Sequence, residues 1–136
     1  MIMTTQSSGE LPIGNEHDIV LARQNVRRMA QQIGFSLVDQ TKIVTAASEL
    51  ARNAYIYGGG GTLKWQILSD GAKHGLRLTF EDQGPGIANL DLAMTDGWSS
   101  GTGLGLGLTG TRRLVNEFDI QSTVGVGTRV TIARWK

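Results

Sequence analysis

The stretch Leu76-Arg77-Leu78-Thr79-Phe80-Glu81-Asp82-Gln83-Gly84-Pro85-Gly86-Ile87 decides the fold. Leu76, Leu78 and Phe80 alternate with polar residues, which places them on one face of a β-strand. Asp82 keeps the same parity, so a carboxylate closes that apolar face. Gly84-Pro85-Gly86 then supplies a rigid turn where backbone can approach a neighbour closely. Upstream, Thr62 to Ser69 sets Leu63, Trp65 and Ile67 against Lys64, Gln66 and Leu68. Asp70-Gly71 to Gly75 lies between the two runs, so they are predicted to pair as a hairpin.

Two helices precede this hairpin. From Asp18 to Ile33, Ile19, Ala22, Val26, Met29, Ala30 and Ile33 recur at helical spacing, and Gly34 is a helix stop. Ser36-Leu37-Val38-Asp39 resembles a capping box with Asp39 in the glutamate position. It opens a second helix that runs to about Tyr57 with Ile43, Ala47, Leu50 and Ala54 inward. Downstream, residues 88–100 read as a short helix and loop and 101–110 as a glycine-rich flap. Leu108 to Phe118 reads as a third long helix with Leu108, Leu114, Val115 and Phe118 inward. Asp119 to Thr123 and Thr128 to Arg134 form a second hairpin around Gly125-Val126-Gly127, and Gly9 to Ile13 is a short edge strand. The fold class is therefore α+β, a two-layer sandwich of one mixed, mostly antiparallel sheet with helices on one face. Residues 1–9 are predicted to be a flexible N-terminus and residues 10–136 a single domain.

Composition narrows the function classes. A chain of 136 residues can bury a core without disulfides, and 40% apolar with 18% charged residues is a globular balance. A net charge of +1 gives no field that would recruit nucleic acid or a membrane surface. The absence of cysteine excludes thiol catalysis. With no signal peptide and no apolar run near the ~20 residues of a membrane span, a cytoplasmic location is expected. Glycine is the outlier: 19 of 136 residues, against a typical ~7%, clustered at 58–61 and 101–110.

Three groups of residues carry chemistry. A lone carboxylate at the end of a buried face, as at Asp82, is costly unless a donor meets it. An adenine amino group is a suitable donor, and an Asx-turn that closes the strand is the bland alternative. Thr128 has the same relation to Val130 and Ile132, so its hydroxyl can join that pocket. Within Ser48-Glu49-Leu50-Ala51-Arg52-Asn53-Ala54, Glu49 and Asn53 stand one helical turn apart at the rim of the helix–sheet interface. An asparagine oxygen is a hard neutral ligand suited to magnesium, and a carboxylate one turn earlier can orient or deprotonate an attacking hydroxyl. On spacing alone, a solvated Glu–Asn pair fits as well. Gly101-Thr102-Gly103-Leu104-Gly105-Leu106-Gly107 leads into a helix N-terminus, whose free amides and dipole suit phosphates. Gly105-Leu106-Gly107-Leu108-Thr109-Gly110 matches the dinucleotide-binding fingerprint literally, but that motif needs a preceding strand and Thr95 to Ser100 is not one. The three groups together describe a magnesium–ATP site. Arg23, Arg27 and Arg28 read as a solvated face, or as a dock for an acidic partner; Trp98 reads as a partner anchor.

Glu49-x-x-x-Asn53, Asp82-x-Gly84-x-Gly86, the glycine-rich flap and Gly125-x-Gly127-Thr128 resemble, in order, the four boxes of one ATP-binding fold. DNA gyrase, a heat-shock chaperone, histidine kinases and mismatch-repair ATPases share it. The likeness spans residues 10–134. Within that superfamily the chain is similar to the stand-alone anti-sigma factor/serine-threonine protein kinases, and among them to the stressosome switch kinases. Ala54-Tyr55-Ile56-Tyr57 lacks the aspartate that usually follows the asparagine in the gyrase and chaperone branches. Tyr57 stands where many anti-sigma kinases carry histidine.

The resemblance implies a set of roles. Asn53 holds magnesium, and Glu49 is the catalytic base toward a serine or threonine hydroxyl. Asp82 binds the adenine amino group, Gly86 and Thr128 help through water, and Gly84 and Ile87 complete the turn of the ATP site. Thr102, Gly103, Leu104, Gly105, Leu106, Gly107 and Leu108 close over the phosphates. The implied activity is transfer of the ATP γ-phosphate to a STAS-domain protein, with a PP2C-type phosphatase or a sigma factor as further partner. A homodimer is compatible with it. Glutamate of ordinary pKa, about 4.3, is a poor base at neutral pH, so slow turnover is expected. Two alternatives stand beside this one: an anti-sigma factor or binding module whose ATP site tunes partner affinity, and an ATPase piece that hydrolyses ATP without a protein acceptor.

Overall fold

Asn15 decides where the first helix begins. Its side chain accepts the Asp18 N–H at 2.9 Å, while Asp18 accepts the Gly14 N–H at 2.8 Å, which satisfies donors that a helix start leaves free. Helix α1 (Glu16–Ile33) therefore starts two residues before the apolar periodicity does, and it stops where Gly34 takes φ 95°. Ser36 caps α2 (Leu37–Ile56) through the Asp39 N–H at 3.1 Å. The computed structural model describes residues 4–94 and 106–136, with Leu92, Leu106 and Gly107 described by backbone alone.

The strands are β1 (Thr4–Ile13), β2 (Gly61–Ser69), β3 (His74–Asp82), β4 (Glu117–Thr123) and β5 (Gly127–Trp135), with short helices α3 (Leu90–Ala93) and α4 (Leu106–Arg113) between β3 and β4. They form one sheet in the order β1-β2-β3-β5-β4, every neighbouring pair antiparallel. The expected α+β sandwich is present, and its sheet is antiparallel throughout rather than mixed. Leu63, Leu76, Leu78, Phe80, Val130 and Ile132 fill its inner face against Val26, Met29, Ile43, Leu50 and Ala54 of α1 and α2. Small residues Ala46, Ala47 and Ala51 are fully buried along α2, so α1 can approach it closely. The outer face is largely polar: Lys64 pairs with Glu81 at 3.4 Å, and the Thr79 and Thr131 hydroxyls meet at 3.3 Å. Trp135 covers that face at Gly75, where a Cβ would come within 1.8 Å of the indole.

Two expectations are corrected. The flexible tail placed at residues 1–9 is strand from Thr4 onward, paired with β2 from Thr4↔Ser69 to Ile13↔Gly61. The third helix does not reach Phe118. It ends at Arg113, and Phe118 sits on β4 opposite Ile132. Asn116 intervenes: its N–H donates to the Ala133 carbonyl at 2.9 Å and its side chain accepts the Trp135 N–H at 2.8 Å, which commits the chain to the sheet. Among the described residues no helix is long and apolar enough to cross a membrane.

Candidate nucleotide-binding site

Asp82 ends β3 in register with Thr128 of β5 and Gly61 of β2. Its Oδ1 accepts the Gly84 N–H at 3.0 Å, so the Asx-turn is real and occupies one oxygen. A carboxylate has about four lone-pair positions, which leaves capacity for a further donor. Burial raises the Asp82 pKa above its ordinary value, and the Gly84 and Thr128 backbone N–H groups oppose that shift. Two glycines make room for it. A Cβ on Gly58 would lie 2.4 Å from Asp82 Cγ, and one on Gly84 would lie 2.6 Å from Gly58 Cα.

The turn after Asp82 is fixed to the β4–β5 hairpin. Gly86 takes φ 77°, and a Cβ there would strike the Thr123 carbonyl at 2.4 Å. Gly125 N–H donates to the Pro85 carbonyl at 2.9 Å, and Ile87 N–H donates to Ser122 Oγ at 2.7 Å. The glycines of the turn are thus required by close approach as well as by backbone angle.

Asp82 opens into a cavity of about 240 Å³ whose apolar walls include Leu50, Ala54, Phe80 and Val130. Asn53, Gly86, Ile87, Leu108 and Thr128 line it as well. Its volume lies just below the ~300–1,000 Å³ of drug-sized ligand pockets, a fit for the buried end of a nucleotide. The Asn53 side-chain nitrogen is buried and, among the described residues, has no hydrogen-bond partner. An unmet buried polar group costs roughly 1–3 kcal/mol, and an amide's nitrogen and oxygen exchange places on a simple flip. Either orientation leaves a polar atom there in want of a ligand. Magnesium keeps several waters and takes few protein ligands beside substrate phosphates. Among the described residues no cluster of three histidine or carboxylate ligands exists; the side-chain amide of Asn53 is a group of the kind that suits magnesium.

The structure thus brings Asn53, Asp82, Gly86, Ile87, Leu108 and Thr128 together, from four separate segments of chain. Gly84 sits behind Asp82, against Gly58. Glu49 is exposed and does not line the cavity. Thr102, Gly103, Leu104 and Gly105 lie outside the described residues, as does Trp98; Leu106 and Gly107 begin α4. Sequence reasoning missed Ser122, which bonds to the Asp82 turn and, at 2.8 Å, to Thr128 Oγ1. Its signal was the hairpin register, which sets Ser122 opposite Thr128. It also missed Gly58.

The histidine kinase-, DNA gyrase B-, and HSP90-like ATPase family matches residues 38–136. The chain belongs to this family. The serine/threonine-protein kinase RsbT of Bacillus subtilis is 47% identical over 123 residues, 90% of this chain and 92% of RsbT. An anti-sigma F factor of a Geobacillus species is 30% identical over 122 residues, 84% of this chain and 82% of that factor. Among solved structures, the RsbU and RsbW domains of a Mycobacterium tuberculosis protein align with TM-score 0.66 at 21% identity, covering 95% of this chain and 32% of that one. A blue-light activated histidine kinase domain from Erythrobacter litoralis aligns with TM-score 0.54 at 20% identity, over 90% of this chain and 60% of that one. Those two alignments carry the fold alone. The ATP-binding domain and the protein-kinase class, both expected from the motifs, are the ones this family and RsbT bear.

Proposed function

We propose that this chain is a serine/threonine protein kinase of a bacterial partner-switching pathway. It transfers the ATP γ-phosphoryl group to a STAS-domain protein and, when released from that protein, binds a PP2C-type phosphatase. The observation that carries the site is the buried Asn53 side-chain nitrogen, without a hydrogen-bond partner among the described residues, in one cavity with the half-buried Asp82 carboxylate. The 47% identity to RsbT supports the reaction class.

In this reading Asp82 accepts from the adenine amino group, and Phe80, Val130 and Leu50 enclose the ring. Asn53 holds magnesium, which when bound neutralises charge on the phosphate oxygens. The backbone N–H groups at the start of α4 would offer donors to the same negative charge. Glu49, exposed one turn before Asn53, is positioned to meet a hydroxyl delivered by a protein surface rather than one enclosed in the cavity. The hydroxyl oxygen forms the new bond to the γ-phosphorus, the bond to the ADP oxygen breaks, and Glu49 receives the hydroxyl proton. Such a base completes its site only when the partner docks, which suits a switch.

Labelled ATP, magnesium and a purified STAS-domain protein test this directly. Phosphate is expected on a serine or threonine of the partner. Glu49→Ala is expected to keep nucleotide binding and lose transfer, and Asn53→Ala to lose magnesium–ATP binding. Tight nucleotide binding with no phosphoprotein from any STAS partner would contradict the kinase reading. The similarity to anti-sigma F factors favours a second reading, in which the ATP site tunes the grip on a sigma factor. Partner binding that survives Glu49→Ala and follows nucleotide state would support it.

A further inference from the structure

We infer that the groove between α1 and the last turns of α2 is where the acceptor protein docks, and that Arg52 and Ile56 select it by an acidic and an apolar side chain beside its accepting hydroxyl. The inference rests on the kinase reading above and deepens it by naming the chemistry of the partner's surface. The groove holds about 260 Å³, and Glu16, Val20 and Arg23 of α1 line it together with Arg52, Tyr55 and Ile56 of α2. None of these six lines the cavity that holds Asn53 and Asp82.

Helical spacing ties this groove to Glu49. Arg52 and Ile56 follow Glu49 by three and seven residues on α2, so the three share one face. At 1.5 Å of rise per residue, Arg52 lies about 4.5 Å and Ile56 about 10.5 Å along the axis from Glu49. A protein that brings a hydroxyl to Glu49 therefore meets this face. Ile56 is 49% exposed and Val20 36%, with the half-buried Tyr55 in the same groove. Arginine and tyrosine around apolar side chains are the usual composition of protein-binding hot spots. Among the described residues neither Arg23 nor Arg52 enters an ion pair or a hydrogen bond. Glu16 is the one carboxylate among the lining residues, so two guanidinium groups outweigh it. The chain as a whole carries only +1, and the attraction for an acidic surface is local to the groove. A carboxylate is the group that a guanidinium fork pairs with best.

The test measures transfer from labelled ATP to a purified STAS-domain protein, read as KM for that protein and as kcat, with Arg52→Glu, Arg52→Lys and Ile56→Asp. Like charges set against each other across an interface are strongly unfavourable, so Arg52→Glu is expected to raise KM roughly tenfold or more. Ile56→Asp should act in the same direction, and Arg52→Lys, which keeps the charge, should lie between native and Arg52→Glu. In all three, kcat and the calorimetric affinity for ADP should stay near native, which also shows that the variants are folded. Added salt should raise the native KM and move that of Arg52→Glu little. An unchanged KM in both Arg52→Glu and Ile56→Asp would overturn the docking groove and leave the kinase reading standing. So would a result in which those variants lose only self-association or only sigma-factor binding. A native chain that binds ADP but phosphorylates no STAS-domain protein would overturn the kinase reading, and the groove's occupant with it.

Discussion

Asp82 works under two opposed demands. Burial favours its neutral form, while the adenine amino group of the proposed function would need its charged form. Because its pKa in the fold is raised, mainly by burial, the native state holds its proton more tightly than the unfolded chain does. Asp82 protonation thus stabilises the empty protein fully below the unfolded value of 3.8, and that contribution fades as pH rises through the raised folded value. Nucleotide affinity is expected to run the other way and fall as the medium is acidified through the raised value. Parallel ADP titrations and thermal melts across the mildly acidic range would read both slopes, and Asp82→Asn should flatten them. Gly58→Ala tests the space around the same carboxylate. Its Cβ would sit 2.4 Å from Asp82 Cγ and 2.7 Å from the Ala54 carbonyl, so ADP binding should fall at least tenfold. Overpacking of this kind costs about 1–3 kcal/mol of stability, which urea unfolding would measure. Asp82 was legible in the sequence because strand parity alone put it on the apolar face. Ser122 was not, because a lone serine in a polar hairpin has no signal until the register is known. Glu49 was legible as a helix-face neighbour of Asn53, but spacing could not say that the cavity stops short of it.

At the scale of elements, Arg134 is the tie between sheet and helices. From β5 it donates to Asp39 in the first turn of α2 at 2.5 Å and to the Leu114 carbonyl just beyond α4 at 2.9 Å. Its hydrogen bond holds the Asp39 carboxyl below the usual range. That contribution is present above the unfolded value of 3.8 and is lost as pH falls through the depressed one. Arg134→Ala should cost roughly 1–3 kcal/mol in urea unfolding, and it should remove the part of acid sensitivity that belongs to Asp39. Leu108, on α4, lines the cavity beside Asp82, so on the proposed function a weaker affinity for ADP is expected as well. The long helices and both hairpins were readable from periodicity. The third helix was overextended because Leu114 and Phe118 stand four apart, a spacing that suits a helix, while Phe118 and Ile120 also alternate as a strand does. The first half of β1 was invisible for a different reason. Thr4 to Ser8 carry no apolar alternation, and their strand character comes from backbone pairing with β2.

Over the whole molecule, one antiparallel sheet carries the helices on its inner face, and the cavity lies where α2, α4 and the ends of β3 and β5 meet. That placement explains why Asn53, Asp82, Gly86, Leu108 and Thr128, scattered along the chain, line one cavity: the order β3-β5 sets Asp82 beside Thr128. The fold class was readable in advance, since strand alternation and helical spacing each leave a local pattern. Depth was not, because exposure depends on how the layers stack. The most direct check is a calorimetric titration of the purified chain with magnesium–ATP, repeated with Asp82→Asn and Asn53→Ala. One nucleotide per chain is expected for the native protein, with affinity reduced at least tenfold by either substitution. Heats of dilution alone for the native chain, or affinity that both substitutions leave unchanged, would contradict the site.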